Sequence, residues 1–123
     1  MSEELLLTAY ERGWNAHDPH ACAACFARDA VRRALLRDAP PPTVGRDAIR
    51  EGIARVMEAL PDVAVAVLAV GYASDRRLWT EWRVTGTPAV SGGRVAVAGV
   101  SVFRLSNAGF LEERLYWDSA SAR

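Results

Sequence analysis

The pattern of hydrophobic and polar positions changes its period once along the chain, near Val63. Before this point apolar residues recur at intervals of three and four, which is the period of an amphipathic helix. This pattern predicts a first helix from about Ser2 to Ala16, a second one through about Ala27, and a third from Arg46 to Leu60. After Val63 the period becomes two, as in β-strands.

A short strand is predicted between the second and third helices, beginning at Asp29, where apolar and polar residues alternate weakly. Pro40, Pro41 and Pro42 end this strand in a loop, because proline has no N–H group to donate to a sheet or a helix. The loop is too short to separate two domains. Residues 1–123 are therefore predicted to form a single domain.

The strands after Val63 are long, and the segment from Arg94 to Asp118 contains the last two of them, joined by a turn at Ser106–Gly109. Both parities of the strand that begins this segment are mostly apolar, so it needs cover on both faces. Helices followed by an antiparallel meander predict an α+β fold. We expect a curved antiparallel sheet with three N-terminal helices that close a pocket, and a homodimer through the outer face.

Composition excludes several classes of partner. The 123 residues include fifteen basic and fifteen acidic ones, so no global field attracts nucleic acid or an anionic membrane. Apolar runs stay well short of the roughly 20 residues that a membrane span needs. The N-terminus starts acidic and lacks the basic region of a signal peptide, so we expect a cytoplasmic protein.

Cys22 and Cys25 have CxxC spacing, which occurs in redox pairs and in halves of zinc sites. A structural zinc site needs four ligands, and neither a second cysteine pair nor a histidine pair with suitable spacing is present. Burial as free thiols in a helical segment is the simpler interpretation. Because the sequence also lacks a glycine-rich phosphate loop, we expect neither a metal nor another cofactor.

Five stretches in this order carry a family resemblance: YERGWNAHDPHACAACFARDAV, VGRDAIREGI, LPDV, WTEWRVTGT and GVSVFRL followed by EERLYWD. Together they resemble the SnoaL-like branch of the nuclear-transport-factor-2-like superfamily. The resemblance implies a cone-shaped α+β barrel with a deep pocket and, frequently, a homodimer. The superfamily includes polyketide cyclases, ketosteroid isomerase and limonene-type epoxide hydrolases.

Within that resemblance, Tyr10 matches the pocket tyrosine of ketosteroid isomerase and Trp117 a pocket tryptophan. The general-base aspartate of that enzyme falls at about Ala34, and its oxyanion-hole acid falls at Ser101. Steroid isomerisation by that mechanism is therefore disfavoured. Epoxide hydrolases of this fold resemble the chain at its terminal YWD, but their Arg-x-Asp pair has no counterpart in TEWRVTG.

SnoaL-like cyclases need less, because one acid/base carboxylate suffices for a substrate already acidified by carbonyl groups. The resemblance implies Asp118 as that carboxylate, with Tyr10 and Ser101 as donors to a developing enolate oxygen. A small apolar ligand would lie among four aromatic side chains: Trp14, Trp82, Phe103 and Trp117. The sequence predicts a cofactor-independent cyclase, isomerase or lyase of a small apolar carbonyl compound, or else a non-catalytic ligand-binding or scaffold domain.

Asp118 also presents a conflict, because its neighbour Trp117 is expected in the same pocket. Adjacent residues of a regular strand point to opposite faces. Either Asp118 curls inward at the end of the strand, or it faces outward and pairs with an arginine. In the second case the pocket could hold no carboxylate, which would favour the binding function.

Overall fold

The computed structural model describes residues 2–118, and this part of the chain contains three helices and six strands. The helices are α1 (Glu3–Asn15), α2 (Pro19–Ala23) and α3 (Arg46–Ala59). The strands are β1 (Phe26–Ala34), β2 (Thr43–Val44), β3 (Ala64–Ala73), β4 (Arg77–Gly86), β5 (Val95–Ser106) and β6 (Gly109–Trp117). None of the helices in residues 2–118 is both long enough and apolar enough to cross a membrane.

Helices α1 and α2 begin at side chains that cap their free N–H groups, whereas α3 begins at Gly45 without a side-chain cap. Ser2 accepts a hydrogen bond from the backbone N–H of Leu5 (3.2 Å) at the start of α1, and Asp18 accepts one from Ala21 (3.0 Å) at the start of α2. The prediction that α2 extends through about Ala27 is wrong. The helix ends at Ala23, because the chain from Phe26 onward is extended and pairs with β6.

The strands form one sheet in the order β2-β1-β6-β5-β4-β3. The predicted α+β fold with a curved sheet and N-terminal helices is confirmed. The sheet is antiparallel except that β1 and β6, the first and last long strands, run parallel. A parallel pair needs a long connection, and here everything from β2 to β5 supplies it. The two-residue strand β2, which follows the three prolines, was not predicted.

Helix α1 covers the exposed edge of the sheet at β3. The side-chain amide of Asn15 donates to the carbonyl oxygen of Val65 (2.9 Å), and its oxygen accepts from the N–H of the same residue (2.7 Å). The Oε2 atom of Glu11 accepts from the N–H of Val67 (2.8 Å). These side chains replace a missing neighbouring strand and hold α1 against the concave side of the sheet.

The hydrophobic core lies between the helices and the concave face of the sheet, with Tyr10 of α1 near its centre. The ring of Tyr10 meets those of Phe26, Phe103 and Phe110 edge-on, with centroid distances of 5.4, 6.0 and 5.6 Å. Edge-to-face contacts at such distances are favourable beyond simple burial. The Tyr10 hydroxyl is consequently held in one place.

Candidate functional site

A cavity of about 400 Å³ lies between α1, the concave face of the sheet and the proline-containing loop before β2. Its walls are mostly apolar, with valines from α3, β3, β4 and β5 and the indoles of Trp14, Trp82 and Trp117. A few polar side chains also reach it, among them Tyr10 and Glu113. Apolar pockets of this size with few polar groups are typical binding sites for small molecules.

The polar groups of the cavity converge on the carboxylate of Glu113, whose residue is only 3% exposed. Its Oε1 atom accepts hydrogen bonds from the Tyr10 hydroxyl (2.7 Å) and from Nε of Arg32 (2.8 Å). Its Oε2 atom accepts one from the Ser101 hydroxyl (2.8 Å). The carboxylate is therefore held by three donors, one of which is a cation.

Ser101 is itself oriented by Trp82, whose indole Nε1–H donates to the Ser101 oxygen (2.9 Å). An indole can only donate, so the serine oxygen accepts there and its own hydrogen goes to Glu113. The guanidinium of Arg32 lies 5.8 Å from the centre of the Trp14 ring, a distance at which a cation is attracted to an aromatic face. Both indoles thus help to position the groups around the carboxylate.

The strand register explains why these residues meet. Arg32 of β1 lies directly opposite Glu113 of β6 in the parallel pair, and Ser101 of β5 lies opposite Leu115, the next inward residue of β6. Residues 113, 115 and 117 of β6 share one face because side chains alternate along a strand. Thr80, buried and opposite Ser101 in β4, extends the same row.

Burial and charge determine how the two groups that contact Oε1 titrate. Burial raises the pKa of Tyr10 well above its usual value, and the neighbouring Glu113 carboxylate raises it further against the opposing effect of Arg32. Burial lowers the pKa of Arg32, but Tyr10 and Glu113 raise it by more, so the net shift is upward. At neutral pH Tyr10 is therefore a neutral donor and Arg32 a cation.

The structure places six of the seven residues singled out in the sequence along the cavity: Tyr10, Trp14, Trp82, Ser101, Phe103 and Trp117. Asp118 is the exception. It follows β6 as an exposed residue outside the cavity lining, and its backbone N–H donates to the carbonyl of Ala98 (3.3 Å). Tyr10 and Ser101, expected to donate to a substrate oxygen, donate to Glu113 instead.

Two central residues, Glu113 and Arg32, were missed by sequence reasoning. The signal for Glu113 was present: it lies four residues before Trp117, on the same face of the strand, and a carboxylate at an inward strand position is uncommon. Arg32 carried no comparable signal, because its strand alternates weakly. Ala34, where the resemblance places the base of ketosteroid isomerase, lines the cavity but has no group that accepts a proton.

Glu11 is a second carboxylate on the cavity wall, but its Oε2 atom is bonded to the edge strand as described above. The thiols of Cys22 and Cys25 lie outside the cavity lining and are buried in the core. Burial raises their pKa values to about 12 and about 11, so both are protonated at neutral pH. Among residues 2–118, no three His, Cys, Asp or Glu side chains are grouped so that they could hold a metal ion.

The family model of the SnoaL-like domain matches residues 7–113, and the chain belongs to this family. None of the curated proteins matches the chain.

Solved structures that resemble it include a protein of Catenulispora acidiphila with a ketosteroid isomerase-like fold, in complex with trimethylamine. That protein has a TM-score of 0.86 and 20% identity over 99% of this chain and 91% of its own. A protein of Xanthomonas campestris pv. campestris, provisionally classed as a polyketide cyclase, has a TM-score of 0.82 and 19% identity over 98% and 96%. The epoxide hydrolase/cyclase-like enzyme SalBIII, described as acting in pyran ring formation in the polyether salinomycin, has a TM-score of 0.83 and 20% identity over 96% and 92%.

Proposed function

We propose that this protein is a cofactor-independent acid/base enzyme of the cyclase or isomerase type, acting on a small apolar carbonyl compound, with Glu113 as the acid/base. The observation that carries the proposal is the Glu113 carboxylate, almost fully buried at an apolar cavity and held by Tyr10, Arg32 and Ser101. Such an arrangement fixes a proton acceptor in one orientation and excludes most water from it.

The hydrogen bonds leave one acceptor position on the carboxylate. An ionised carboxylate has about four lone-pair sites, two on each oxygen. Oε1 uses both of its sites for Tyr10 and Arg32, whereas Oε2 uses one for Ser101. We therefore assign proton transfer to the free site on Oε2.

Arg32 supplies the group that stabilises the negative charge formed in the reaction. Its Nε–H is bonded to Glu113, and the guanidinium has four further N–H donors. The hydroxyl hydrogens of Tyr10 and Ser101 are already used by the carboxylate. In the proposed reaction the substrate carbonyl oxygen accepts from Arg32, which remains positively charged while the oxygen becomes an enolate.

In this mechanism Oε2 takes a proton from the carbon next to the carbonyl, and the C–H electron pair forms the enolate. In a cyclase the enolate carbon then attacks a second carbonyl of the same substrate, and the new alkoxide takes the proton from Glu113. In an isomerase the proton returns to a different carbon. A carboxylate is a much weaker base than a simple ketone enolate, so the substrate needs two carbonyl groups that acidify the same C–H.

The family and its solved relatives support this proposal at the level of architecture. A provisional polyketide cyclase and a cyclase-like enzyme share the fold over almost the whole chain. The cavity volume of about 400 Å³ fits a substrate of one or two rings. We place the enzyme in the cytoplasm, where unbridged thiols such as Cys22 and Cys25 stay reduced.

The test follows solvent deuterium exchange into a panel of cyclic and aromatic 1,3-dicarbonyl compounds by NMR, with the wild-type protein and Glu113→Gln. We expect Glu113→Gln to slow the catalysed exchange by roughly 10²–10⁴-fold, because it removes the proton acceptor but keeps the side-chain size. Glu81→Gln is the matched control. Glu81 lies on β4 between two cavity residues, Thr80 and Trp82, but faces the opposite side and is exposed.

Far-ultraviolet circular dichroism of each variant shows whether it is folded at the assay temperature. Catalysed exchange that persists in folded Glu113→Gln, or that is lost in Asp118→Asn instead, would contradict the assignment of Glu113. A wild-type protein that binds the compounds without accelerating exchange would favour the ligand-binding function.

A further inference from the structure

The outer face of the sheet, opposite the cavity, carries a cluster of four arginines around one glutamate. Arg33 of β1, Arg77 of β4, Arg104 of β5 and Arg114 of β6 surround Glu112, and we call this group the outer arginine cluster. A hollow of about 260 Å³ is lined by Arg77, Arg104, Arg114 and Glu112 together with Val102 and Phe103. The charged ends of the cluster lie on the face opposite the Glu113 carboxylate, because neighbouring residues of each strand face opposite sides. Arg33 and Phe103 contribute to the cavity wall as well.

The register brings like charges together in this cluster. Arg77 lies directly opposite Arg104 in the β4–β5 pair, and Arg33 lies directly opposite Arg114 in the β1–β6 pair. Like charges at directly opposite positions destabilise a sheet. Arg104 also lies opposite Glu112 in the β5–β6 pair, which offsets part of this repulsion. Two like-charge pairs around a single glutamate still leave an excess of positive charge on this face, which points to a role in binding.

The acceptors available within the protein do not compensate for these charges. Glu112 forms an ion pair with Arg33 at 3.3 Å between Oε2 and Nε. It also lies opposite Arg104 in the β5–β6 pair and lines the same hollow as Arg77 and Arg114. Within residues 2–118, the buried Nε atom of Arg114 lacks a hydrogen-bond partner, and that of Arg33 has the ion pair with Glu112 but no hydrogen bond. Four positive charges against one negative charge leave a local charge of three, although the whole chain is neutral.

We propose that the outer arginine cluster binds a tetrahedral oxyanion, a phosphate group that is either free or part of a small ester. Every unsatisfied group here is a donor, so the occupant must supply acceptors and negative charge. Guanidinium groups bind phosphate through two parallel hydrogen bonds, and a phosphate group has oxygens enough for several arginines. The hollow exceeds the volume of several water molecules, each of about 30 Å³.

The site is tested by isothermal titration calorimetry of inorganic phosphate into the full-length protein in a low-chloride buffer at neutral pH. We expect Arg104→Gln and Arg114→Gln each to weaken binding by about tenfold or more, the usual scale for losing a charge-assisted bidentate contact. Arg83→Gln is the matched control. It lies on the same strand as Arg77 and has the same parity, but six residues away, roughly 20 Å along the strand.

Thermal unfolding supplies a second readout that a merely structural role would not give. Without phosphate, Arg104→Gln should melt close to the wild-type temperature, because the change removes a like-charge contact with Arg77 and an opposite-charge contact with Glu112 of similar magnitude. Phosphate should raise the melting temperature of the wild type by more than that of this variant, because the variant binds it more weakly. Phenyl phosphate, titrated in parallel, distinguishes the two sources. Binding of inorganic phosphate but not of the ester indicates that free phosphate is the ligand. Tighter binding of the ester indicates that the ligand is a small phosphate ester.

Three results would overturn the proposal. The first is no heat of binding from the wild type at millimolar phosphate, and the second is an equal loss of affinity in Arg83→Gln, which would reflect general charge attraction. The third is a change of the monomer–dimer equilibrium in Arg104→Gln with unchanged phosphate affinity. In that case the cluster would contact an acidic group of a second copy of the chain.

Discussion

The ion pair between Arg32 and Glu113 is expected to contribute strongly to stability, and a double-mutant cycle tests this. The two residues lie 81 positions apart and join the first and last long strands at 2.8 Å. Their side chains are 21% and 4% exposed. The cycle consists of Arg32→Met, Glu113→Gln and the double variant, each compared with the wild type.

The magnitude follows from what each single change leaves behind. Removing one partner of a buried ion pair typically costs about 3–5 kcal/mol, because the other charge remains buried without compensation. Arg32 is partly exposed and can gain some hydration, so we expect about 3 kcal/mol for Glu113→Gln, at the low end of that range. Arg32→Met leaves Glu113 its bonds to Tyr10 and Ser101, and we expect about 2–3 kcal/mol.

The double variant leaves no unpaired charge, so its cost should fall short of the sum of the single costs by about 2 kcal/mol. The free energies of unfolding come from urea titrations followed by circular dichroism, with equal m-values as the condition for comparison. Arg50 and Asp47 on the surface of α3 provide the control cycle. They are 3.4 Å apart but 34% and 85% exposed, and we expect a coupling of at most about 0.5 kcal/mol.

The reasoning would be refuted if the stability losses of Arg32→Met and Glu113→Gln simply added in the double variant, with a coupling energy no larger than that of Arg50 and Asp47. The cavity would then be hydrated strongly enough for each charge to be stable without the other. The low dielectric environment assumed for proton transfer at Glu113 would be lost as well.

Three further predictions concern other parts of the molecule. The pKa values of Cys22 and Cys25 are raised by burial from 9.0 to about 12 and about 11, so their protonated native thiols stabilise the fold fully below pH 9. Above pH 9 the free energy of unfolding should fall with a slope of up to about 1.4 kcal/mol per pH unit for each thiol, and a slope unchanged in Cys22→Ala would contradict this. Gly99→Ala should lower the free energy of unfolding, measured by urea titration, by about 1–3 kcal/mol, because the new methyl group would lie 2.5 Å from the Trp82 ring. A urea midpoint equal to that of the wild type would refute the close approach. Trp79 is 42% exposed on the outer face and is expected to contact a second copy of the chain. In sedimentation experiments the wild type should therefore be a dimer and Trp79→Glu a monomer. A monomeric wild type at micromolar concentration would rule this out.

Local sequence patterns were sufficient for the fold class and for most of the elements, but not for the end of α2 or for the short strand β2. The change of period near Val63 separates the helices from the long strands, and the ends of α1 and α3 lie within one residue of the prediction. Ser101 and Phe103 share one parity along β5, so the match of Ser101 to the family's pocket predicted Phe103 inward as well, and both line the cavity. These features depend on contacts between near neighbours in the chain, which a sequence records directly.

Long-range pairing was decided by the tertiary structure. The parallel alignment of β1 with β6 puts Arg32 opposite Glu113, and the same register sets Arg33 opposite Arg114 on the other face. Neither pair is visible in a local pattern, because a shift of one residue in that register would exchange the inward and outward sets of charges. Asp118 was favoured because the family resemblance places a carboxylate after the last strand, yet alternation along β6 gives the cavity its carboxylate five residues earlier, at Glu113. A charged side chain on a strand acquires its role only when the neighbouring strand is in place, since that strand determines whether it lies opposite a partner, a like charge or solvent.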